Sequence, residues 1–174
     1  MILSLWRKDP LRDAAEALYA AAADQARNVR FFADWGVPDT PEGRFEVLAA
    51  ILSLLLNRLS DEGPEAQRLQ RRLSETLFDQ LDAALRELGV GDLSVGRKNR
   101  KLAEDFFGRA TAYRAALFAG DEDALRIAVA RNVYGATEGG AEIAAYLRAA
   151  AVALAAQPTA RILQGVVSFP ETGA

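Results

Sequence analysis

Three carboxylates, Glu75, Asp79 and Asp82, recur at i, i+4 and i+7, a spacing that would set them on one helix face and could collect a divalent cation. Aspartates so placed serve all-helical enzymes that act on prenyl diphosphates, with magnesium as the ion. Arg71, Arg72 and Arg86 lie a turn away and offer the same carboxylates ordinary ion pairs, so a solvated charged face competes with the metal reading. A second group is cationic: Arg97, Lys98, Arg100 and Lys101 follow the glycine-punctuated run from Gly89 to Gly96. Acidic lipid headgroups, ribosomal RNA or an acidic protein would each suit them, at about 1 kcal/mol per residue near an anionic surface.

What is missing narrows the chemistry further. The chain has no histidine and no cysteine, so the usual neutral-pH general base, thiol nucleophile, zinc-finger ligands and protein-derived haem ligands are almost all absent. Ser4, Ser53, Ser74, Ser94 and Ser168 have no histidine to activate them. Gly89-Val-Gly91 and Glu138-Gly-Gly140 are not phosphate loops, because no strand is predicted before them and no Gly-Lys-Ser/Thr follows. No catalytic residue, cofactor site or metal site is assigned. A net charge of -3 over 174 residues gives no global pull toward nucleic acid, and DNA is not an expected partner.

The elements that must position these groups read as helices. Asp9-Pro10 and Thr40-Pro41 each pair a capping side chain with a proline suited to the first helical turn. The first opens an alanine-rich helix to about Phe32, and Trp35-Gly-Val-Pro-Asp39 must be a turn. The second opens a helix whose Phe45, Leu48, Leu52, Leu55, Leu56 and Leu59 recur at three- and four-residue steps. Val47, Ile51 and Leu54 widen that stripe, which marks the central helix. Its apolar run falls well short of the roughly 20 residues a bilayer span needs. Leu69, Leu73, Leu77, Leu81, Leu85 and Leu88 form the single-face stripe of a third helix that stops at Gly89.

Beyond an elbow from Gly89 to Lys101, Leu102, Phe106, Ala110, Tyr113 and Leu117 mark another amphipathic helix, ended by Gly120. Asp121 caps a shorter helix through Val133, and Glu138 to about Ala156 forms the next. Ile162 to Pro170 is short, β-branched and extended in character. The expectation is an all-α fold: a compact single-domain bundle of about six to seven helices over residues 1–174, with a short extended C-terminal segment. Met1-Ile-Leu-Ser-Leu-Trp6-Arg7-Lys8 places its apolar residues before its charges and is too short for a signal peptide, so a cytoplasmic protein is expected, at most peripheral to the inner membrane.

Several segments together resemble the ubiquinol-cytochrome c chaperone family, assembly factors for the cytochrome bc1 complex. They are Asp39-Thr40 ahead of the hydrophobic helix, Leu88-Gly89-Val90 before the basic turn, and Phe107-Gly108-Arg109 leading to Tyr113. Leu125, Ala128 and Arg131-Asn132-Val133-Tyr134 follow, then Gly165, Val167 and Phe169. They stand in the family's order over about residues 32–169. Pro41 departs from the aromatic that commonly follows Asp-Thr, and Arg126-Ile127 from an alanine-rich stretch. Mitochondrial members carry a targeting extension not seen in this chain, so the resemblance is to a bacterial-type member.

The resemblance implies a non-catalytic chaperone that holds newly made cytochrome b, or another nascent membrane protein, at the ribosome or an anionic membrane surface, with a small partner protein as a further candidate. Its candidate partner surface is Asp39, Arg44, Arg97, Lys98, Arg100 and Lys101, with Arg131 and Asn132. Asp39 reads equally as a turn-forming residue, and Trp35 and Phe45 as part of an apolar groove or as core. Two alternatives remain: a helical carrier of a lipid or quinone, which needs a large apolar cavity, and the magnesium enzyme on prenyl substrates through Glu75, Asp79 and Asp82.

Overall fold

The computed structural model describes residues 9–172 except 88 and 90, and of 92–95 only the backbone. Within them lie α1 (Pro10–Ala26), α2 (Val29–Ala33), α3 (Pro41–Ser60), α4 (Pro64–Glu87), α5 (Asp92–Ala119), α6 (Glu122–Val133), α7 (Ala141–Ala155) and α8 (Thr159–Leu163). Among the described residues there is no strand, so the fold is all-α. The six longer helices fit the expected number, and the short α2 and α8 add two.

The helix starts follow from capping chemistry. Asp9 accepts from the Leu11 N–H, Thr40 Oγ1 from the Gly43 N–H at 3.1 Å, and Asp121 from the Ala124 N–H at 2.9 Å. Each satisfies a backbone donor that the first helical turn leaves unpaired. The first helix does not reach Phe32 as its composition suggested. It stops at Ala26, because Asn28 takes an extended backbone and accepts the Arg30 N–H at 3.0 Å, starting α2. Asparagine competes for backbone donors in this way, and here that outweighs the alanine-rich propensity before it. The C-terminal segment also departs in part: Ile162 and Leu163 sit in the single turn of α8, and residues 166–172 carry no regular secondary structure.

Helix α3 is the axis of the bundle. Val47, Ile51, Leu52, Leu55 and Leu59 are buried, and so are Ala49, Ala50 and Ser53 between them. A helix apolar on all sides needs neighbours on all sides; α1, α4, α5 and α7 pack against it. Helix α4 brings Leu69, Leu73 and Leu77, α5 brings Phe106 and Tyr113, and α7 brings Ile143, Leu147 and Leu154. Phe31 stacks edge-on against Trp35 at 5.2 Å and Tyr146 at 5.3 Å. Trp35 is therefore half-buried on the α2/α7 side, and Phe45 packs at the core margin.

Phe106 is fully buried beside Phe78, whose ring lies 6.3 Å away edge-on. Phe106→Ala is expected to lower unfolding free energy by about 3–5 kcal/mol, read as a drop in urea midpoint at unchanged m-value.

Candidate functional site

The cations after Gly89 do not stand on a turn. Helix α4 is described to Glu87 and α5 begins at Asp92, so Arg97, Lys98, Arg100 and Lys101 lie inside the helix, in its second and third turns. The expected elbow gave too much weight to Gly96, whose cost of about 1 kcal/mol in a helix is within reach of packing. Docking on α4 supplies it, including the Asn99 Nδ2 donation to the Phe78 carbonyl at 3.3 Å. Arg100 pairs with Glu104 at 3.2 Å and Lys101 with Asp105 at 3.5 Å, both one turn on. Arg97 and Lys98 are exposed, and no ion pair among the described residues engages them.

Asp39 and Arg44 form a pair of their own at 2.6 Å, and the Arg44 guanidinium lies 5.2 Å over the Phe32 ring. They clamp the loop that leads into α3. Gly43 is required there, since a Cβ would come 2.0 Å from the Pro38 carbonyl oxygen. No hydrogen bond or ion pair among the described residues joins this clamp to the α5 cations.

Asn132 and Arg131, at the end of α6, part company. Asn132 turns inward and donates to the Tyr113 hydroxyl at 3.4 Å, whereas Arg131 is exposed beside a depression of about 460 Å3 floored by alanines of α5 and α6. Below Tyr113 lies an ion pair the sequence reading passed over. Arg109 of α5 meets Glu46 of α3 at 2.7 Å, with side chains only 20% and 12% exposed. Glu46 Oε2 and Arg109 Nε and Nη1 find no further partner. Burial pushes the Glu46 carboxyl up to about 7, against the pull of Arg109 and helped by Asp105. Burial also raises Tyr113 to about 12, so it stays neutral and serves as an acceptor for Asn132 rather than a base. Glu46 was legible as the one charge inside the α3 apolar run.

The acidic set does not converge. Glu75 is held by Arg72 at 2.8 Å and Asp82 by Arg86 at 2.7 Å. Among the described residues no three carboxylates could hold a metal ion, so the magnesium reading loses its geometry. The depressions described lie at the surface, the widest, about 560 Å3, between α4 and α5. Phe78 and Phe107 close one end of it, and Arg71 and Arg114 flank the other. Phe107 is 46% exposed, and Phe118, farther along α5, is 93% exposed. The amphipathic pattern of α5 placed its core side but not these: Phe107, Thr111, Arg114 and Phe118 recur at i, i+4, i+7 and i+11 on a different flank. No helix of the described residues is long and apolar enough to cross a membrane.

Comparison with known proteins gives two matches. The family described as Ubiquinol-cytochrome C chaperone matches residues 33–169. The crystal structure of the Cbp3 homolog from Brucella abortus is similar with a TM-score of 0.86 and 33% identity, covering 99% of this chain and 98% of that one. A search of curated proteins returned no match.

The raised carboxyl has a measurable consequence. A folded-state value above the unfolded one means that Glu46 favours the fold at low pH, and this contribution is lost as pH rises from about 4.5 to about 7. Melting temperatures of wild type and Glu46→Gln, compared from pH 4.5 to 8, should therefore shift in favour of the variant as pH rises. A difference that is flat across this window would contradict the assignment.

Proposed function

Because the chain belongs to the ubiquinol-cytochrome c chaperone family, we propose that it is a non-catalytic assembly factor for the cytochrome bc1 complex that binds newly made cytochrome b. The observation that carries this reading is the family match over residues 33–169, joined to a similarity that runs the whole length of the Brucella abortus Cbp3 homolog. The chemistry agrees with it. A chain without histidine or cysteine brings little acid–base or thiol chemistry of its own, while a holding function needs only surface: apolar contacts for helices awaiting their bilayer and charges that locate the complex.

The work takes place on the cytoplasmic side, at the ribosome or the membrane surface. Arg97 and Lys98 are the cations best suited to meet an anionic neighbour, since Arg100, Lys101 and Arg44 already have carboxylate partners. Asp39 and Arg44 support the α3 entrance instead, Asn132 supports Tyr113, and Arg131 remains available at the α5/α6 surface. A small partner protein could share the same surfaces.

Deleting the gene should lower the content of bc1 complex while other respiratory complexes persist, measured by native gels and haem spectra of membranes. Unchanged bc1 content would remove the reading for this protein. For the cations, Arg97→Glu with Lys98→Glu should weaken sedimentation with ribosomes or with phosphatidylglycerol vesicles roughly tenfold or more at low salt, at about 1 kcal/mol per lost cation. The difference should fade as salt rises. Equal sedimentation of variant and wild type in both assays would take the cations out of the interface.

A further inference from the structure

The groove between α4 and α5 holds four features that a purely structural surface does not need together. Its floor is Leu56 and Asn57 of α3, and the Asn57 Nδ2 is buried without a hydrogen-bond partner. A buried amide donor left unpaired costs free energy, so the groove floor is not fully satisfied among the described residues. One end is aromatic: Phe107 stands half in solvent with Phe78 at 5.9 Å and Phe106 at 5.4 Å behind it. The other end is cationic. Arg71 has no ion-pair partner among the described residues, Arg114 reaches only the exposed Asp61 at 2.9 Å, and Glu75, the carboxylate in the groove, is already engaged by Arg72.

The fourth feature is length. Phe118 follows Phe107 by eleven residues, which sets the two exposed rings about 16 Å apart along one flank of α5, three helical turns. Thr111 and Arg114 lie between them on the same flank, so beyond the cationic end of the groove a second exposed ring follows one turn past Arg114. Aromatic side chains and arginines, spaced as a helix presents its own residues, are the composition of an energetic recognition surface.

We propose that this groove is a docking site for an amphipathic helix of a second polypeptide, seated parallel to α5, with bulky apolar residues against Phe107 and Phe118 and a carboxylate between Arg71 and Arg114. The charge balance selects an acidic helix over a basic one, and the anchor spacing selects a helix of at least three turns over an extended strand. The inference rests on the chaperone reading only for the source of that helix, the client or a co-acting protein.

The probe is a fluorescein-labelled synthetic helical peptide of 18 residues with leucines at i, i+4, i+7 and i+11 flanked by glutamates. Anisotropy should show saturable binding to wild type, weakened at least tenfold by Phe107→Ser with Phe118→Ser and by Arg71→Glu. Val152→Ser, which changes an exposed apolar residue of α7, should leave it intact. Where the double variant melts, Phe118→Ser alone carries the test, because that ring is almost wholly in solvent. Equal binding by a scrambled peptide or by one with lysines for the glutamates overturns the proposal. So does size-exclusion chromatography in which wild type is a dimer that Phe118→Ser dissociates, which gives the face to a second copy. Loss of phosphatidylcholine-vesicle binding in the same variants, without loss of peptide binding, gives it to lipid and overturns the proposal too. In a strain whose bc1 content has fallen on deletion, failure of the folded double variant to restore it supports the groove. Full restoration overturns the groove and leaves the chaperone reading standing.

Discussion

Helix α3 has almost no solvent side, and this one constraint organises the molecule. From Val47 to Leu59 its residues are buried in nearly every direction, so its stability comes from neighbours rather than from propensity. Each neighbour therefore presents a stripe rather than a full circumference: Leu69, Leu73 and Leu77 from α4, Phe106 and Tyr113 from α5, Ile143 and Leu147 from α7. Polar groups on such an axis must be satisfied locally. Ser53 turns its hydroxyl back to the Ala50 carbonyl at 2.6 Å, and Gln70 of α4 reaches across to the Leu56 carbonyl at 2.8 Å. At the axis end Arg58 donates to the Leu154 and Gln157 carbonyls, both at 3.0 Å, and to Thr159, thereby closing the C-terminus of α7 and the entrance to α8. Two groups are exceptions: the Asn57 side-chain amide, whose Nδ2 has no partner, and Glu46, a carboxyl near the other end of the axis whose burial outweighs its arginine.

How much of this could be read from the chain depends on whether the deciding interaction is local. Asp9-Pro10, Thr40-Pro41 and Asp121 set helix starts because a capping bond spans three residues and needs nothing else. Gly120 ends α5 in the left-handed region for the same local reason. Asn28 was equally local but silent, since an asparagine inside an alanine-rich run announces no break without its extended backbone. The start of α5 was not local: Gly89, Gly91 and Gly96 all argue for a longer loop, and only docking on α4 makes Asp92–Lys101 helical.

The candidate residues divide along the same line. Arg97, Lys98, Arg100 and Lys101 were conspicuous as a run, yet a run of charge does not reveal its partners, and two of the four are spent on Glu104 and Asp105. Asp39 and Arg44 came from one sequence neighbourhood and turned out to bind each other. Glu46 and Arg109 stand 63 positions apart and meet only through the crossing of α3 and α5, so no spacing rule could join them. Phe118 was lost for a different reason: periodicity finds the face that is buried, and an aromatic on another flank looks like noise until its exposure is known.

The α4 leucine stripe is less deeply buried in the outer half of the α4/α5 hairpin, the half nearer its connection. Leu69, Leu73 and Leu77 are buried, but Leu81 and Leu85 carry on the same spacing only half-buried. Less burial means a lower free energy of local opening for the stretch from Leu81 to Glu87 than for that from Leu69 to Leu77. The cations of α5 ride on that outer half, while Phe107, Arg114 and Phe118 belong to the half anchored on α3. An apolar flank anchored on α3 beside a less buried, more charged stretch is the arrangement on which the proposed holding role would draw.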